Sequence, residues 1–207
     1  PSLERLKLVP SNPALKKGRR YLVGYVGVMG KQEGIDHLLR MVRYLVYEKG
    51  RDDIQFVLVG DGTELEAMKE LSQRLDISAH VTFTGRIPDE PMLEVLCTAD
   101  VCVNPDVANE MNDKSTMNKI MEYMALGKPI VQYDLTEGRF SAQGASLYAK
   151  PNDEVDFAGK IVELLDDPDR RKRMGEFGRR RVKEELQWEY EKPKLLRAYE
   201  VLWEAQK

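Results

Sequence analysis

Apolar residues along this chain come in two patterns. Short, nearly unbroken runs predict strands: YLVGYVGVMG (21–30), IQFVLVGDG (54–62), HVTFTG (80–85), DVCVNP (100–105), KPIVQY (128–133) and the shorter ASLYA (145–149). Between them the apolar positions recur every three or four residues. Over 34–50, Ile35, Leu38, Leu39, Val42, Leu45 and Val46 keep helical spacing up to a stop at Gly50. Residues 63–77 read the same way, as do 89–99, which open with acidic residues and Pro91. After residue 149 the chain reads as helix throughout, over 153–166, 168–185 and 186–206. Asp167-Pro168-Asp169 has the form of a metal-binding Asp-x-Asp, but it precedes a helix and reads as its cap. Residues 1–20, PSLERLKLVPSNPALKKGRR, sustain no period and read as a linker into a domain at 21–185, with 186–207 as a terminal helix.

Buried strands alternating with helices predict an α/β domain with a mostly parallel sheet covered on both faces. Such sheets bind ligands beyond the carboxyl ends of their strands. Four of those ends carry polar candidates: GVMGKQEG, GDGTE, GRIPDE and NPDVANEMNDKST. The last runs into a helix expected at 115–126. At ~100° per residue, Met117, Ile120, Met121 and Met124 form one row, and Ser115, Asn118, Lys119 and Glu122 form another nearly opposite. The first row is core; the second is solvent surface or the edge of a binding cleft. Asn112 or Asp113 is the expected N-cap, and Gly127 with Lys128-Pro129 ends the helix. A phosphate at that N-terminus would meet backbone N–H groups of the Ser115–Thr116–Met117 turn. Lys119 and Lys31 would add charge, and Lys114 and Asn118 are further candidates. Glu122 could accept hydrogen bonds from a diol such as a ribose.

Charge changes this picture little. With 32 basic and 35 acidic side chains, net −3, nothing global points to nucleic acid as a partner. No apolar run approaches the ~20 residues of a membrane span, no signal peptide is evident, and a start at Pro1 reads as a fragment or a processed chain. Cys97 and Cys102 are too few for a disulfide framework or a zinc site and fit a reducing cytosol. His37 and His80 are isolated from any nucleophile or metal-ligand constellation and read as structural. Glycines 24, 27 and 30 do not fit G-x-G-x-x-G, which argues against a dinucleotide cofactor.

At EYMALGKPIV the chain resembles the nucleotide-sugar-binding signature of family 4 glycosyltransferases, enzymes of GT-B architecture with two Rossmann-like domains across a cleft. YVGVMGKQEGIDHLLRMV, FVLVGDGTELEAMKEL, VTFTGRIPDEPMLEVLCTADVCVNP and LQWEYEKPKLLRAYEVLW occupy the order expected of the C-terminal, donor-binding half. The resemblance implies a three-layer Rossmann-like domain that binds a nucleotide-activated sugar without a cofactor or an obligatory metal. It implies a glycan or lipid-linked acceptor, bound through a separate N-terminal domain, with peripheral association at the inner face of a membrane if the acceptor is lipid-linked. Glu122 would bind the donor ribose, and the backbone around Arg86 and Ile87 would meet the base. On the reading of the residues themselves, Gly30, Lys31, Ser115, Thr116, Met117 and Lys119 would serve the phosphates.

The sequence also departs from the family. Lys114 replaces the first Glu of the family's pair, and Val28 and Glu33 stand where an Arg and a Lys usually meet the phosphates. Either Lys31, Lys114 or Lys119 substitutes, or the donor or the activity has changed. A nucleotide-binding module without transfer activity is the rival reading. LTEGRFSAQGA replaces a Gly-rich turn, and Glu137 and Arg139 within it have no assigned role.

Overall fold

The computed structural model describes residues 6–204. The first five residues of the expected linker and the last of the terminal helix lie outside the described residues. The strands are β1 (Tyr21–Val26), β2 (Ile54–Val59), β3 (Val81–Gly85), β4 (Val101–Asn104), β5 (Ile130–Tyr133) and β6 (Ser146–Ala149). They form one six-stranded sheet in the order β3-β2-β1-β4-β5-β6, parallel at every pairing. This is the doubly wound Rossmann order, and its direction reverses between β1 and β4.

Alternate side chains of β1, β2, β4 and β5 feed two cores. Tyr21, Val23 and Tyr25 of β1 pack with α1 (Ile35–Arg43), α2 (Leu65–Arg74) and α7 (Glu154–Leu165). Leu22 packs on the other face with α3 (Asp89–Thr98), α5 (Asn118–Ala125) and α8 (Pro168–Glu185). The expected three layers are therefore present. Helix α1 continues through a π-helical turn, Tyr44–Glu48, before Gly50. Asp167 caps α8, its carboxylate accepting from Arg170 N at 2.8 Å. Both cysteines are free thiols, Cys102 fully buried and Cys97 half-buried.

The segment before β1 lies on the domain. Leu6 is buried in the α3/α5/α8 core, Asn12 N donates to Thr98 Oγ1, and Lys16 pairs with Asp100 at 2.8 Å. Helix α9 (Trp188–Glu204) differs from the others in burying no side chain. Among the described residues, no helix is long and apolar enough to cross a membrane.

Two elements follow a course the residue pattern did not predict. The helix expected at 115–126 begins only at Asn118, as α5, after an extended Met117, and a separate short helix, α4 (Glu110–Asp113), stands before it across a non-helical link. Neither Asn112 nor Asp113 caps α5. Asn112 is buried and donates its amide to Gln32 O (3.0 Å) and Val107 O (2.8 Å), while Asn109 caps α4. Asp113 accepts from Thr136 N and Oγ1 at 2.8 and 2.9 Å, so its carboxylate serves a different helix, α6 (Thr136–Ala142). Those two hydrogen bonds hold the Asp113 carboxyl below its ordinary range. LTEGRFSAQGA is thus the helix α6 and its exit. Its Gly138 lies against the buried Gln132 side chain, leaving no room for a methyl group.

Candidate functional site

The reversal of strand order sets the chain leaving β1 beside the chain leaving β4, at the crevice where sheets of this kind hold ligands. The loops there meet through backbone. Gly27 N donates to Val59 O, Met29 N to Asp61 O and Glu64 N to Met29 O, each at 3.0 Å. Gly60, at φ 140°, crosses so closely that a Cβ there would stand 1.8 Å from Gly27 O. On the β4 side, Val107 N donates to Gln32 O at 3.0 Å. Gly34, at φ 61°, lies where a Cβ would meet Pro105 O at 2.0 Å. Only glycine satisfies both the conformation and the contact at these positions. Met29, fully buried, anchors the middle of the loop.

A charged cluster spans the crevice. Lys119 Nζ donates to Glu33 Oε2 at 2.6 Å and to Asp106 Oδ1 at 2.7 Å, and lies 5.1 Å from the centre of the Tyr25 ring. Glu33 comes from the β1 loop, Asp106 from the β4 loop and Lys119 from the first turn of α5. The side chains of Lys119 and Asp106 are 10% and 1% exposed, against 25% for Glu33. Tyr25 Oη lies 2.9 Å from Val28 O and 3.2 Å from Glu33 Oε2. Burial raises the Asp106 carboxyl to about 6, against the pull of Lys119. Burial also raises the Tyr25 phenol, with Glu33 adding to it. One turn along α5, Tyr123 Oη accepts from Val26 N at 2.9 Å and donates to Val103 O at 3.3 Å.

The rows drawn on α5 are partly as expected. Ile120 and Met124 are fully buried, and Met117 and Met121 pack at the margin of the same core. Lys119 leaves the polar row. With Tyr123 it forms a second buried line that faces the ends of β1 and β4. Glu122 is half-buried and Asn118 exposed. Ser115 N is already bonded to Asn112 O at 3.2 Å, and Ser115 Oγ donates to Met111 O. The 115–117 segment is therefore not a helical turn presenting its N–H groups. Thr116 Oγ1 donates to Glu137 Oε2 at 2.9 Å, and Lys114 pairs with Glu110 on the exposed surface. Arg139 pairs with Asp134.

Arg86, exposed, lines a hollow of about 660 Å³ with Gly27, Val28 and residues 60–63, at the carboxyl ends of β1, β2 and β3. Ile87 packs into the α3/α5/α8 core. Gly30 and Lys31 open onto a smaller hollow of about 300 Å³ with Asp36 and Glu64. Among the described residues, no group of three or more His, Cys, Asp or Glu is arranged to hold a metal. The cluster residues Asp106 and Tyr25 were not singled out from the sequence. Their signal was position alone, one just after a strand in a polar loop and the other in an apolar run.

Residues 20–167 match the model of the family described as glycosyl transferases group 1. The chain belongs to that family. A 2-deoxystreptamine glucosyltransferase of Streptomyces kanamyceticus is 28% identical over 152 residues, 71% of this chain and 37% of the relative. Sucrose-phosphate synthase from Thermosynechococcus elongatus superposes with a TM-score of 0.80 at 24% identity, over 97% of this chain and 51% of that one. A HepE protein from Anabaena, solved with UDP and glucose, gives 0.67 at 21% identity, over 80% of this chain and 44% of that one. This group 1 chain therefore has the fold of a GT-B C-terminal domain, and it spans about half or less of the length of these relatives.

Proposed function

We propose that this chain is the donor-binding part of a glycosyltransferase, holding a nucleotide-activated sugar for transfer to a glycan or lipid-linked acceptor. The observation that carries the reading is the hollow at the ends of β1–β3, which shares Gly27 with the crevice wall on a chain of a sugar-transferring family. In this reading the base lies near Arg86 and Ile87, and the ribose hydroxyls meet Glu122. The diphosphate lies near Gly30, Lys31 and the start of α5, with Ser115, Thr116, Met117, Lys119 and the flanking Lys114 and Asn118 around it. The positive end of α5 would stabilise the leaving diphosphate without an obligatory metal, and retention of configuration is what the family resemblance implies. The acceptor site lies in another part of the enzyme, and this chain alone binds donor without turnover.

The test is calorimetric titration of UDP and GDP, and of their 2′,3′-dideoxy analogues, into the wild type and Glu122→Ala. A carboxylate accepting from the ribose contributes about 1.5–3 kcal/mol. The substitution should remove that much from the ribonucleotides and little from the dideoxy forms. Equal affinity of the wild type for both forms removes Glu122 from the site.

One observation favours the rival reading of a nucleotide-binding module without transfer activity: Lys119 is already neutralised by two carboxylates. Turnover of a nucleotide sugar by the longer protein would dispose of that rival.

A further inference from the structure

The cluster at the crevice has one ammonium and two carboxylates. Both carboxylates contact the same Nζ, at 2.6 and 2.7 Å. In that arrangement Lys119 offers nothing to an incoming anion, because its charge is spent and the surplus is negative. A phosphate arriving within about 6 Å of an extra carboxylate is repelled even at an effective dielectric of about 20. Lys119 can serve a donor diphosphate only if one carboxylate withdraws.

The two carboxylates are not equivalent. Asp106 is buried at the end of β4, beside Pro105, whose carbonyl is closed over by Gly34. Glu33 is a quarter exposed and sits on the three-residue turn Lys31–Glu33. The backbone of that turn is fixed, since Gln32 O accepts from both Val107 N and Asn112 Nδ2. A change of Glu33 rotamer toward solvent is therefore enough to free the ammonium. Tyr25 Oη keeps Val28 O as an acceptor at 2.9 Å when Glu33 leaves. Asp106 keeps Lys119 in place. The ammonium would then lie beside the pocket-lining Gly27, since a Cβ on Gly27 would stand 3.4 Å from Lys119 Cε.

We propose that Glu33 is a displaceable internal counter-ion on Lys119: it competes with the donor diphosphate for the ammonium and lowers the affinity of the site for it. The inference rests on the donor-binding reading above. Asp106 is the fixed counter-ion, a positioning residue that holds Lys119 at the strand ends whether or not donor is bound.

The test is titration of UDP and GDP, and of uridine and guanosine, into the wild type, Glu33→Gln, Glu33→Asp and Lys119→Met. Glu33→Gln should bind the preferred diphosphate at least about tenfold more tightly, from the removed repulsion, and bind the nucleoside unchanged. Added salt should narrow the difference. Glu33→Asp, one methylene shorter, should fall between the wild type and Glu33→Gln, and it serves if the glutamine variant folds poorly. Lys119→Met should bind diphosphate no better than nucleoside. Equal or weaker diphosphate binding by Glu33→Gln, with wild-type binding intact, overturns this inference and leaves the donor-binding reading standing. No nucleotide binding by any of the proteins overturns both.

Discussion

Helices α5 and α9 are both sided, and they end in opposite circumstances. On α5 the apolar row lies in the core, and a polar side chain one position away, Lys119, is buried as well. On α9, Trp188, Leu195, Leu196, Tyr199, Leu202 and Trp203 form one stripe at helical spacing, and each is between 45% and 73% exposed. A sided pattern says that a row is suited to being covered. What covers it is decided elsewhere in the chain: for α5 by β1, β4 and α8, for α9 by nothing among the described residues. Burial at α5 includes charge because the carboxyl ends of β1 and β4 are where the sheet stops covering itself and loops take over.

If that contrast is right, stability is concentrated at the strand ends and absent from α9. The largest effect is expected from Gly60→Ala, whose methyl group would overlap Gly27 O. It should cost more than about 4 kcal/mol, seen as loss of the folding transition or a collapse of the thermal midpoint. A near-native midpoint would mean that the two loops separate easily.

Lys119→Met should cost about 3 kcal/mol, the lower end for breaking a buried ion pair, because Glu33 can turn to water. Urea unfolding would show it as a lower midpoint at unchanged slope. A neutral result would make the cluster a surface feature.

The smallest effect is expected from Leu202→Ser on α9, within about 0.5 kcal/mol at any protein concentration. A larger, concentration-dependent loss would show that the stripe is covered in solution, and the contrast with α5 would fail.

The sheet was legible in the sequence because buried parallel strands are short apolar runs, and Tyr21–Val26 and Ile54–Val59 have no other reading. The start of α5 was not legible. Asn112 and Asp113 are good caps by type, but each is committed to a distant partner, Gln32 O and Thr136 respectively, and spacing does not encode that choice. Helix α6 was hidden by Gly138, a residue that disfavours a helix locally and is kept for close packing on Gln132. Lys119 was legible as charge but not as buried charge. Its burial depends on Asp106 and Glu33, 13 and 86 residues away in the chain. The departure at Glu33 was visible as a residue of the wrong sign, and the ion pair gives it a partner.

The crossing of Gly27 and Gly60 bears on how this end of the molecule moves. The amides of Gly27, Met29 and Gly60 donate to Val59, Asp61 and Gly85 carbonyls at 3.0 Å, and Met29 roots the loop in the core. The β1 loop is therefore not a flap. The amides of Gly27 and Met29 belong with the slow-exchanging core of the sheet, while exposed side chains at the crevice rotate on the picosecond-to-nanosecond scale. An arriving ligand meets a rigid rim of peptide groups with mobile side chains set into it. Any larger closure over that ligand requires this domain to travel as one body.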